Sequence, residues 1–327
     1  MLATNRLRLI MTGLSLALCF MLSACAGTAT NNSFAYVTNQ GDNTVSIIDI
    51  HQQKIIHTTA VGKAPVGIAG SKKLQRVFIT NVESANISVI DMQSHQVIHT
   101  IPVKGSPVGI ALAPDDKKLY VADWYGNRII VIDPNTYSIL NEVTVEKAPA
   151  GIVVSPDSQM VYIAVRDSNE IVVLNAKVLS IDKRIAVGEH PFGISLSKDG
   201  STLYSVNVFD NTVSIISTKT WQQSTVEVGD HPYCAVASPD NKTLYVTNTL
   251  DESVSIIDVA SQKIIATLEV GETPEGISYD AITKEILIAN WGSNNVTVID
   301  TNSNKVINTI AVGDRPRAFG QFILSGN

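Results

Sequence analysis

His190 and His231 are the residues of this sequence best suited to chemistry, because they stand at one equivalent place in two similar segments. Each precedes a proline, in EHPFGI and DHPYCA. Imidazole at neutral pH is a metal ligand or a proton carrier. With Cys234 and Asp230 close by, a metal site built on His190, His231 and Cys234 is one candidate. The same position elsewhere holds Arg315, and the residue after the proline is Phe192, Tyr233, Glu275 or Arg317. Glu275 with Arg315 and Arg317 forms a second candidate, a carboxylate base and an electrostatic clamp for hydrolysis. Trp124, Arg166 and Trp291, with Tyr125 and Phe209, complete a third, a ligand-binding mouth of aromatic and charged groups. The sequence has neither a phosphate-cradling glycine loop nor a nucleophile elbow.

The elements that position these residues are internal repeats. Aligned on an aromatic-rich opening, the copies begin at Ala35, Val77, Leu119, Val161, Leu203, Leu244 and Ile286, and the seventh ends with the chain. A full copy holds an opening such as LYVTN, a polar turn, VSIID, a second turn, IIATLEVG, and then a PxGI segment that runs to SPD. β-Branched and aromatic residues bounded by Asn, Asp, Gly and Pro are strand-and-turn chemistry, and no 3.6-residue stripe is long enough for a helix. Four short strands per repeat, apolar on both faces, predict an all-β chain folded as one seven-bladed propeller with four antiparallel strands per blade.

The phase of the repeat predicts how the ring closes. The chain enters at the second strand of a blade, so the last segment, Arg317–Leu324, is an innermost strand without a following partner. It is expected to pair with Ala35–Asn39, so that one blade combines both ends of the propeller. The glycine of PxGI recurs as Gly67, Gly109, Gly151, Gly193, Cys234, Gly276 and Ala318. These are all small residues, as expected where seven strands crowd around an axis.

Tyr36-Val37-Thr38-Asn39 and Tyr245-Val246-Thr247-Asn248, with VSIID and PxGI, resemble the YVTN-repeat β-propeller family over residues 35–327. That resemblance implies the propeller fold. It leaves open three functions, a binding or scaffolding module, a lactonase-like hydrolase and a haem- or metal-binding periplasmic propeller. The preferred expectation is a binding module without catalysis, which calls for no cofactor.

Residues 1–24 combine a basic start, Arg6 and Arg8, with an apolar run from Leu9 to Met21, the pattern of a signal peptide. The run is short for a membrane span, which needs about 20 residues. Leu22-Ser23-Ala24-Cys25 resembles the bacterial lipobox, which implies acylation of Cys25 and a lipid-anchored cell-envelope protein, with residues 25–34 as tether. The absence of aspartate after Cys25 points to the periplasmic face of the outer membrane in a Gram-negative source. Removing residues 1–24 takes away two arginines and no acids, moving the formal charge from −6 to −8. An acidic chain without a basic run offers nothing to neutralise phosphates, so nucleic acid is not an expected partner. The expected partners are the membrane, through the anchor, and a small molecule or another envelope protein.

Overall fold

A computed structural model describes residues 33–325. The signal segment, Cys25 and most of the tether lie outside the described residues. Seven sheets, each with four antiparallel strands and one of them extended by a short parallel fifth strand, make seven blades, and the described residues include only one helical turn, at Arg166–Ser168. Blade 2 is representative, with Pro65–Ser71 innermost, then Arg76–Asn81, Asn86–Asp91 and Val97–Pro102 outermost. The second strand of each blade is buried at nearly every position, because both of its faces meet a neighbouring blade. Leu287 and Val298 of blade 7 thus share one apolar cluster with Tyr36 and Ile47 of blade 1.

Closure follows the expected pairing but not its regularity. Ser33–Asn39, Thr44–Asp49 and Lys54–Ala60 form a blade with Ile323–Ser325, so the first strand starts at Ser33, two residues earlier than the repeat alignment suggests. In blade 2 the partner of Val77 is Gly70, five positions beyond Pro65. In the closing blade the equivalent Ala35 pairs with Ile323, seven positions beyond Pro316, which bridges to Asn39. The predicted continuous strand Arg317–Leu324 is therefore interrupted. Two extra residues bulge toward the axis, where Phe319 and Gly320 pair in parallel with Gly67 and Ile68 of blade 2. Gly320 makes the bend possible, with φ at +106°.

The recurring letters of the repeat hold the ring together. Thr80 accepts from the Gly67 N–H of its own blade (2.7 Å) and donates to the Val108 carbonyl of the next (2.8 Å). Thr38 and Thr247 form the same bridge between Ala318 and Val66, and between Cys234 and Glu275. Asn39, Asn81, Asn207, Asn248 and Asn290 each donate to two side chains of the next strand. At the axis the small residues have the expected cause, since a Cβ on Gly67, Gly109, Gly151 or Gly193 would collide with the neighbouring blade's carbonyl. Gly109→Ala is accordingly expected to cost about 1–3 kcal/mol. A lowered urea midpoint would report it, and an unchanged midpoint would mean the strands have room to spare.

Candidate functional site

The loop before each innermost proline and the hairpin after each second strand meet on one face, here termed the rim. The residue before the proline has left-handed backbone in six of the seven copies, including His190 (φ 54°), His231 (φ 52°) and Arg315 (φ 53°). That conformation is unfavourable for a side chain and is offset by side-chain hydrogen bonds. The Asn169 oxygen accepts from the His190 N–H, Asn211 from His231 and Asn294 from Arg315, at 2.8–3.0 Å. The hairpin residues are tied to the same loops, for instance Arg166 N–H to the Ala148 carbonyl and Trp291 N–H to that of Thr273. The position of each rim side chain is thus set by the backbone network.

The sequence-predicted residues divide into two layers. On the rim, the Arg166 guanidinium lies 5.6 Å from the Trp124 ring and 5.8 Å from that of Phe209, held also by Asp167 at 2.6 Å. His190 packs against Phe209 at 4.1 Å, and His231 approaches Phe209 at 5.7 Å. His231 Nδ1 is 2.8 Å from Asp230, whose carboxyl this contact holds below the usual carboxylate range. Arg315 stands apart over Trp291 at 5.2 Å, and Tyr125 is 80% exposed.

The residues after the prolines form the second layer, which fills the channel beneath the rim. Phe192 contacts Tyr233 at 4.6 Å and Phe319 at 4.9 Å, and these rings share a cluster with Val66 and Val108. Beside them Glu275 and Arg317 form a bidentate pair, with Nε donating to Oε2 at 2.7 Å and Nη2 to Oε1 at 2.9 Å. Burial pushes the Glu275 carboxyl up, while Arg317 and the neighbouring Tyr233 pull it down. Burial also raises Tyr233 well above the usual phenol range and drives the Cys234 thiol upward.

These placements correct two combinations. Cys234 does not join the histidines, because it lines a cavity of about 380 Å³ in the channel below the rim, with the Phe209 ring against both imidazoles above. Among the described residues no cluster of three or more His, Cys, Asp or Glu is placed to hold a metal ion. The clamp of Glu275, Arg315 and Arg317 does not form either. Glu275 and Arg317 neutralise each other, and Arg315 turns to Trp291. Their pairing had a signal in the sequence, since opposite charges occupy equivalent positions of adjacent blades. Phe319 had none, because the bulge that swings it into the channel breaks the repeat.

The sequence profile of the YNCE-like beta-propellers matches residues 23–159 and 154–324. The chain belongs to the YNCE-like beta-propeller family. Solved structures similar to this YNCE-like propeller include a hydrazine synthase from Kuenenia stuttgartiensis, with TM-score 0.75, 22% identity, and 81% of this chain and 92% of that chain covered. A functionally unknown protein from Desulfotomaculum acetoxidans aligns at TM-score 0.78 and 16% identity over 91% and 99% of the two chains. A dihydro-heme d1 dehydrogenase, NirN, in complex with DHE aligns at TM-score 0.68 and 15% identity over 86% and 63%. At these identities the likeness is one of fold. No curated protein matches the sequence significantly.

Proposed function

We propose that the chain is a non-catalytic binding module of the bacterial cell envelope, acting through its rim on a partner protein. One observation carries this reading. The channel beneath the rim is filled by Phe192, Tyr233, Phe319 and the Glu275–Arg317 pair, so that the exposed groups above it form an aromatic and cationic surface. Arg166 between Trp124 and Phe209, with exposed Tyr125 next to Trp124 in the chain, has the composition of an interface core, which is rich in aromatics and arginine. The self-neutralised pair speaks against a lactonase-like reaction. A haem or metal on His190 and His231 would have to displace the Phe209 ring. The lipobox-like Leu22–Cys25 supports a lipid anchor at Cys25, and the repeat letters support a place among YVTN-repeat propellers.

A photo-crosslinking residue at Tyr125 or Phe209, introduced in the source cells, is expected to yield one discrete adduct that Arg166→Glu abolishes. The same residue at Leu140, half exposed on an outer strand, is expected to yield none. Adducts at Leu140 alone would move the binding surface off the rim. Cys25→Ser is expected to remove labelling by a palmitate analogue and partition into detergent, and retention of both would rule out the anchor.

A further inference from the structure

On the opposite face, termed the base, the channel is open. The cavity of about 380 Å³ below the glycine ring is walled by Ile110, Ile152, Ile194 and Val236 and reaches Ser195 and Lys198 toward the base. Its walls are not only apolar. Among the described residues, the innermost strand of blades 3 to 7 is the last of its sheet, with no strand on its axis side. Such edges carry N–H and C=O groups that a further strand can pair with. The Ser195 hydroxyl is enclosed there without a hydrogen-bond partner, and Lys198 is exposed and makes no ion pair among the described residues.

The chain itself demonstrates one way to cover such an edge, since Phe319 and Gly320 add in parallel to the innermost strand of blade 2. The left-handed backbone at Gly320 then turns the segment away, so that blade 7 is covered only where the Gly276 N–H donates to the Arg317 carbonyl, and among the described residues no strand pairs with the inner edges of blades 4 to 6. An acyl chain in this channel would cover peptide groups without replacing their hydrogen bonds with water, at about 1–3 kcal/mol per group. A peptide strand covers them and replaces those bonds. A volume of about 380 Å³ lies at the small end of ligand sites, which suits about three or four extended residues.

We propose that the base of the channel receives the extended apolar end of a peptide or protein. It adds as a strand to the bare inner edges around Ser195, and an acidic group where it leaves the channel meets Lys198. This site lies on the face opposite the proposed rim interface and does not depend on it.

The test uses the full mature chain and a fluorescein-labelled pool of tripeptides of Ala, Val and Ile, each followed by Glu, read by fluorescence anisotropy. Saturable binding is expected, weakened at least tenfold by backbone N-methylation of the peptides and by Lys198→Glu. Val236→Trp, at the cavity wall, is expected to abolish it. Equal binding of the N-methylated pool, or displacement of the peptides by decanoate at equal concentration, would reduce the site to an apolar pocket and overturn strand addition. Absence of saturable binding, or binding unaffected by Lys198→Glu, would overturn it as well. Lys198 is exposed, so that variant keeps the test decisive even where Val236→Trp fails to fold.

Discussion

Deletion of residues 319–327 is expected to abolish the cooperative unfolding transition of the whole propeller, as measured by calorimetry or urea titration. The segment is short, but it carries Phe319, Phe322, Ile323 and Leu324, each at most 7% exposed. At about 1.5–3 kcal/mol for each fully buried large side chain, these four contribute about 6–12 kcal/mol. That is comparable with the entire net stability of a typical domain, about 5–15 kcal/mol. The deletion also removes the strand that pairs with Ser33–Ala35 and the Phe322 carbonyl that accepts from the Tyr36 N–H, leaving the edge of blade 1 bare. A truncated protein that unfolds in one sharp transition near the wild-type midpoint would show that seven blades hold together without the closing strand.

Separating the buried ion pair is expected to be the most damaging point substitution, with an asymmetry that geometry dictates. The Glu275 side chain is 5% exposed and that of Arg317 26%. Arg317→Met strands a carboxylate with no route to water, and breaking a buried pair in this way costs about 3–5 kcal/mol. Glu275→Gln leaves a guanidinium that still reaches solvent, so its cost should be smaller. Replacing both by apolar residues should recover much of the loss, because the desolvation of both charges disappears together. Chemical denaturation of the two single variants and the double variant measures all three, and a double variant no better than Arg317→Met would refute the account.

The same pair gives a pH dependence. Burial raises the Glu275 carboxyl and Arg317 opposes that rise, so removing Arg317 must raise it further. For an acid whose folded pKa lies above its unfolded value, stability falls as pH climbs from the unfolded value to the folded one. The deficit of Arg317→Met relative to wild type is therefore expected to be smallest near about pH 4, where glutamate is largely protonated, and to grow toward neutrality. A deficit independent of pH would mean that lost packing, not stranded charge, is the cause.

The repeat made most of the fold legible. Seven copies with strand-type residues and turn letters leave few architectures, and a chain that enters at a second strand can close only by pairing its two ends. The small residues at Gly67, Gly109 and their equivalents could be read as a crowded axis because each copy repeats the same steric demand. The lipobox-like Cys25 is a sequence feature and lies outside the described residues.

What the sequence determined by itself was therefore whatever recurs or is local, namely the blade count, the strand order, the shared face of the proline loops and the pairing of the ends. What only the tertiary structure decided was the meaning of the departures from the repeat. Phe192, Tyr233, Glu275 and Arg317 read as ligand-facing because they are large or charged where sister copies are bland. In three dimensions they converge on the axis, where their size fills the channel and their charges cancel. His190 and His231 stayed on the rim but came to rest against Phe209. Alignment of copies shows which residue differs, but it cannot show which side chains meet across the axis. Those meetings depend on how blades far apart in sequence face one another, and on a two-residue bulge near the end of the chain.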